Sequence, residues 1–312
     1  MEKERYSDET MGILYASFSY LLWGFLPLYW KLMNHVPSNQ ILAHRVFWSF
    51  IFMLVILGVS KKWGQFTVEF RRIRTNRKQF LSLLAASITI SANWFIYIWA
   101  VNKGHVIEAS LGYYINPLVN VVLGIVILKE RLSFWQTFAV LLAGAGVLLL
   151  TFRIGSVPWI ALSLAMSFAT YGLVKKMTNL DSVIGLTVET MVIAPIAFIY
   201  LIWLEWNGTG LFFSQSVSTT FLLMGAGAVT AVPLLYFAKG ARLISLSLIG
   251  FLQYVAPSIS LCLGVFLFHE NFTKTHIYAF GCIWSALMIF SIAKTKFMVS
   301  MQPKLRKSMK AS

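Results

Sequence analysis

The chain alternates long apolar runs with short polar connections. A hydrocarbon core of about 30 Å needs roughly 20 apolar residues per helix. Runs of that length fall at approximately 11–31, 38–60, 79–102, 106–128 and 134–152, and again at 156–176, 182–204, 218–238, 243–268 and 275–294. The pattern predicts an all-α membrane protein of ten transmembrane helices. Its connections are short, except for a basic stretch from Lys61 to Lys78, read as a loop, and a Gly- and Ser-bearing loop from Glu205 to Ser216. Residues 1–10 form an N-terminal tail that is polar and mixed in charge. It has no apolar core ending in a small-residue cleavage site, so no cleaved signal peptide is expected. Residues 295–312 read as a basic C-terminal tail.

Composition agrees with the pattern. Of 312 residues, 58% are apolar and only 12% charged, with a mean hydropathy of +0.73, whereas soluble domains carry about a quarter of their residues charged. The soluble classes are excluded, and so are disordered chains and secreted disulfide scaffolds, because 25 Phe, 11 Trp and 12 Tyr accompany just two cysteines. The net charge of +15 does not point to nucleic acid once its distribution is considered. With ten spans, 21 of the 26 Lys and Arg fall on the side of the two termini, four on the other side, and Arg45 within a helix. The positive-inside rule then places both termini in the cytoplasm. The basic stretch reads as a retention signal touching anionic lipid rather than RNA.

The chain also repeats itself. Segment four contains Ser110-Leu-Gly-Tyr-Tyr-Ile-Asn-Pro117, Gly124 and Glu130; segment nine contains Gly250-Phe-Leu-Gln-Tyr-Val-Ala-Pro257, Gly264 and Glu270. At an offset of 140 the Pro, the Gly and the Glu coincide. The halves are therefore read as residues 11–152 and 153–294. A repeat of five spans, an odd number, enters the membrane from the opposite face the second time, and inverted repeats are a transporter design.

Three stretches give the sequence a recognisable character: Ala43-His-Arg-Val-Phe-Trp-Ser49, Ala109-Ser-Leu-Gly-Tyr-Tyr-Ile-Asn-Pro-Leu118 and Leu128-Lys-Glu-Arg-Leu132. Over approximately residues 11 to 294 the chain resembles the EamA repeats of the drug/metabolite transporter superfamily, and in these stretches its RarD-type branch. The resemblance implies two inverted five-helix repeats, residence in a bacterial-type inner membrane and export of small metabolites or drugs by alternating access, with amino-acid-like and chloramphenicol-like solutes as candidates. The second copy departs from the first, with Gln253-Tyr254-Val-Ala256 where the first has Tyr113-Tyr114-Ile-Asn116. Substrate contacts therefore do not carry from one half to the other.

Polar groups at mid-membrane are the candidates for transport chemistry, because an Arg, Lys or Asp there costs about 2.5–3.5 kcal/mol. Arg45 lies some way into segment two and reads either as a cationic anchor for an acidic solute, or gating counter-ion, or as a structural arginine tied to carbonyls. His44 beside it points roughly 100° away, so the two cannot both face one ligand. Glu189 in segment seven reads either as a proton carrier or as an interhelical hydrogen-bond partner. Asn93 and Tyr97 share one helical face, and Tyr113 and Asn116 lie on a stripe interrupted by Pro117. Pro117 and Pro257 each free a carbonyl one turn back, tolerable only against protein or a water-lined cavity. With Gln253, Tyr254, Trp23 and Tyr171 they suggest an aromatic-walled cavity for a small amphipathic or zwitterionic solute.

Ala143-Gly-Ala-Gly146 and Gly225-Ala-Gly-Ala228 fit either internal packing or a homodimer face. There is no phosphate-loop pattern and no His-Glu-x-x-His, so neither a cofactor nor a metal is expected. The leading reading is a secondary transporter rather than an enzyme. A membrane-embedded enzyme would need convergent nucleophiles or ligands, and a channel a charge ring or filter loop; no such set is evident.

Overall fold

A computed structural model describes residues 2–103, 105–152, 158–178, 180–267, 274–293 and 295–302. Among these the chain is helical, in thirteen elements: α1 (Glu2–Lys31), α2 (Ser38–Val59), α3 (Trp63–Thr75), α4 (Arg77–Asn102), α5 (Val106–Val126), α6 (Phe134–Phe152), α7 (Trp159–Met177), α8 (Ser182–Trp206), α9 (Val217–Leu243), α10 (Leu246–Gln253), α11 (Val255–Phe266), α12 (Lys274–Ile292) and α13 (Lys296–Ser300). Nine stretches among the described residues are long and apolar enough to cross a membrane, with α10 and α11 counted together. Helix α7 is of similar length but carries Lys175 and Lys176 in its last turn, which lowers its hydropathy. Glu270 and Arg153 lie outside the described residues.

Helix starts follow capping chemistry. Asp181 accepts the amides of Val183 and Ile184 at α8, Ser216 that of Thr219 at α9, and Ser245 that of Leu248 at α10. The basic stretch read as a loop instead contains α3. Its Trp63, Phe66, Phe70 and Ile73 recur at helical spacing, and Ile73 packs with Leu83, Leu180 and Val188, so the apolar face is covered while Arg71, Arg72 and Arg74 face outward. Segment nine also differs from a single span. Pro257 has no amide hydrogen for the carbonyl of Gln253, and the chain divides there into α10 and α11. Helix α5 remains continuous through Pro117.

Several packing pairs correspond under an exchange of halves. Helix α5 lies on α7 as α10 and α11 lie on α1, and α4 lies on α7 as α9 lies on α1. The pairs α2 with α8, α5 with α10 and α6 with α12 map onto themselves. Small residues allow the close approaches. A Cβ at Gly146 would lie 2.7 Å from the carbonyl of Ala279 on α12, and one at Gly227 would run into the backbone of Trp48 on α2. These two glycines serve packing inside the chain.

Candidate functional site

A cavity of about 310 Å³ lies between α1, α2, α4, α5, α7, α9 and α11. It occupies the half of the bundle in which α1 and α4 end and α2 and α5 begin. Its walls include Trp23, Arg45, Asn93, Tyr97, Tyr113 and Asn116, with Gln253 and Pro257 contributed by the broken helix. Tyr113 is 47% exposed although it sits within a span, and the cavity that it lines accounts for that exposure.

Arg45 is the charged group of this cavity. Its guanidinium carbon stands 4.9 Å from the ring centre of Trp94 and 5.3 Å from that of Trp30, so two indole faces flank the cation. Its Nε donates to Thr230 Oγ1 at 3.2 Å. Among the described residues no carboxylate lies within ion-pair distance of it. A guanidinium carries five N–H donors, so most of its hydrogen-bonding capacity is left for a ligand. The phenol rings of Tyr97 and Tyr113, with centres 6.0 Å apart, stand on the same wall. His44 points elsewhere: it is buried and stacked on Phe212, with ring centres 5.1 Å apart.

The amide residues are positioned by one another. Asn93 Nδ2 donates to the Leu164 carbonyl at 2.9 Å and to Ser167 Oγ at 3.0 Å. Asn116 Nδ2 donates to the Ala165 carbonyl at 2.7 Å. Asn120 Nδ2 then bridges Asn116 Oδ1 at 2.9 Å and Gln253 Oε1 at 3.0 Å, which ties α5, α7 and α10 together. Pro117 does not line the cavity; its carbonyl supports the backbone of α10, where a Cβ on Gly250 would lie 2.5 Å away. Tyr254 is also outside the cavity, fully buried, with its hydroxyl donating to the Tyr114 carbonyl at 3.2 Å.

Below the cavity lies an aromatic floor. Trp23 meets Tyr20, Phe168 and Phe237 with ring centres 5.5, 5.6 and 5.7 Å apart, and Tyr171 stacks on Phe237 at 6.0 Å. Tyr171 therefore belongs to the floor rather than to the wall. Its hydroxyl donates to Glu189 Oε2 at 3.2 Å, while Lys175 Nζ donates to Glu189 Oε1 at 2.7 Å. The side chains of Lys175 and Glu189 are only 7% and 2% exposed. Lys175, one of the cations counted from sequence on the side of the termini, is thus an internal one. Trp30, Trp94, Phe168 and Thr230 complete the walls without having been singled out as binding groups; Trp94 adjoins the Asn93–Tyr97 face, but the other three have no distinguishing spacing.

Comparison with known proteins agrees with this architecture. The EamA-like transporter family model matches residues 10–152. The chain is 48% identical to the uncharacterized transporter YojE of Bacillus subtilis, over 94% of this chain and 97% of that protein. It is 44% identical to Protein RarD of Salmonella typhi, over 89% of this chain and 94% of that protein. A crystal structure with 17% sequence identity superposes at a TM-score of 0.70 over 92% of this chain and 99% of the other, a likeness of fold. With relatives of this kind matched over nearly their whole length, the chain belongs to the EamA-like transporter family, in its RarD-type branch.

Proposed function

We propose that this transporter is a secondary active carrier that exports small amphipathic solutes bearing a carboxylate, by alternating access between inverted repeats spanning residues 11–152 and 153–294. The observation that carries the reading is the guanidinium of Arg45, flanked by Trp30 and Trp94 and without a carboxylate partner among the described residues. A half-buried cation held in this way gains most from an anionic partner that arrives with the solute. Indole and phenol rings around it favour an apolar or aromatic body on that solute. Gln253 supplies a further polar contact from the other half. The lysine and arginine bias supports termini in the cytoplasm of a bacterial inner membrane, so that the cavity faces outward and the aromatic floor faces the cell.

Counterflow in proteoliposomes tests this. Vesicles preloaded with an unlabelled aryl or alkyl carboxylate should accelerate entry of the labelled compound, while the matching amide should be a poor substrate. Equilibration at the same rate in preloaded and empty vesicles would identify a channel instead, and no entry across a broad carboxylate and zwitterion panel would remove the carrier reading.

A further inference from the structure

A second polar centre lies on the other side of the aromatic floor, and its chemistry differs from that of the cavity. Lys175 on α7 and Glu189 on α8 form a buried ion pair at 2.7 Å. A separate small cavity of about 10 Å³, room for about one water, runs from this pair to Asp181 at the start of α8. Asp181 is itself paired with Lys62 at 2.7 Å, on side chains about 30% exposed. Gly185 forms part of the wall between the two pairs; a Cβ there would stand 3.6 Å from Lys175 Nζ, so the absence of a side chain leaves room beside the ammonium. A buried pair thus communicates with a surface pair through a water-sized passage, on the side remote from Arg45.

We propose that Lys175 and Glu189 form a proton-operated latch that holds the floor closed, a reading that rests on the carrier function above and assigns its coupling. A proton entering from the α7–α8 turn binds the Glu189 carboxylate. The Lys175 ammonium then loses its counter-ion and turns along Gly185 toward the Asp181 carboxylate. Helix α7 is released from α8. Because Tyr171 donates to Glu189 and stacks on Phe237, and Phe237 adjoins Trp23 in the cavity wall, the same event loosens the floor beneath the solute.

The groups around the carboxylate are compatible with this role. From α7 it meets Lys175 and Tyr171. From α9, Arg242 lines the same passage. Helix α4 presents Ser87, whose hydroxyl lies 3.5 Å from the Glu189 carbonyl. Asp181 and its partner Lys62 complete the charged surroundings. Asp181 keeps its charge in acid better than an ordinary carboxylate does. Burial pushes its carboxyl up, but the hydrogen bond and charge of Lys62 and the amides of Ile184 and Val183 outweigh that and hold it below the ordinary carboxylate value. It therefore remains an anion able to receive Lys175.

Two measurements on the full-length protein, neither needing a solute, test the latch. Infrared difference spectra between neutral and acid media should show a protonated-carboxyl band that is missing from Glu189→Gln and displaced in Glu189→Asp. In a Cys262→Ser, Cys282→Ser background, labelling of Ser110→Cys at the cavity wall by a membrane-impermeant maleimide should fall several-fold over the same acidification, and should stay low at every pH when Glu189→Gln is added. A band that persists in Glu189→Gln, or labelling that is flat with pH while the band is absent, would overturn the latch. If Glu189→Gln is not recovered folded, an unshifted band in Glu189→Asp overturns it equally. Counterflow with wild-type protein would still report on the carrier reading, so the two ideas fail separately.

Discussion

Glu130 clamps Ser247 across the two halves of the chain: its Oε2 accepts the Ser247 hydroxyl at 2.6 Å and the Ser247 amide at 2.9 Å. Its Oε1 accepts the Leu246 amide at 2.6 Å. A carboxylate thereby caps the positive end of α10, the first piece of the broken helix. The approach depends on Lys129, whose φ of 57° turns the chain back after α5, so that the Glu130 amide reaches the Gly124 carbonyl at 3.0 Å. It also depends on Gly124, where a Cβ would lie 2.6 Å from Glu130 Oε2. The Gly and Glu of the repeat motif are therefore two parts of one cap.

Glu130→Ala removes all three acceptor contacts and leaves the α10 amides unpaired, so it should lower stability by about 1–3 kcal/mol. Glu130→Gln, which keeps one acceptor oxygen, should fall between wild type and Ala. Thermal unfolding in detergent checks the order, and equal midpoints for the three proteins would show that the cap contributes nothing.

Gly250→Ala sets a side chain against backbone rather than against a movable group, since the added Cβ would lie 2.5 Å from the Pro117 carbonyl and 3.1 Å from Asn120 Cβ. Helices α5 and α10 would have to separate, at a cost of about 1–3 kcal/mol, and the Asn120 to Gln253 hydrogen bond would stretch with them. Gly144→Ala, which meets nothing within 4 Å, is the control on another apolar helix and should unfold as the wild type does. A Gly250→Ala protein as stable as that control would mean that the crossing adjusts freely.

Much of this architecture was legible in the residues. Apolar run lengths located the spans, because a membrane helix must satisfy its backbone internally and so declares itself by length. Arg45, Asn93, Tyr97, Tyr113, Asn116 and Gln253 stood out because polar groups inside such runs are few. What was not legible depended on helix rotation and register. Trp30, Phe168 and Thr230 look like any other residue of their spans, and nothing local tells a cavity-facing ring from a lipid-facing one. Lys175 counted with the cations on the side of the termini because it stands two residues from the end of α7, and only the fold brings Glu189 beside it. Helix α3 was readable from its apolar spacing, yet its short length and basic residues made it resemble a loop.

Arg45→Gln should abolish the preference for carboxylates while sparing the fold. Among the described residues the guanidinium makes one side-chain hydrogen bond, to Thr230, so its loss leaves little unpaired behind it. Removing one partner of a desolvated charge contact costs about 2–5 kcal/mol, which is about thirtyfold or more in counterflow of a carboxylate solute. Arg45→Lys keeps the charge but loses the planar fork that fits between two indoles, so it should recover only part of the rate. Equal rates for acid and amide in the wild-type protein would detach Arg45 from solute recognition.

Lys62 and Asp181 should leave a signature in acid. The Asp181 carboxyl is held below its ordinary value by the hydrogen bond and charge of Lys62 and by the amides of α8, against the opposing effect of burial. A group depressed in this way stabilises the fold above its unfolded value of about 3.9, and that contribution disappears as the pH falls through the still lower folded value. Asp181→Asn keeps a good helix cap but not the charge, so it isolates the ion pair. The variant should melt below the wild type at neutral pH, the difference should narrow only in strong acid, and added salt should shrink it because the pair is partly exposed. A difference that closes on approach to neutrality from above would mean that some other group, not Asp181, titrates at this end of α8.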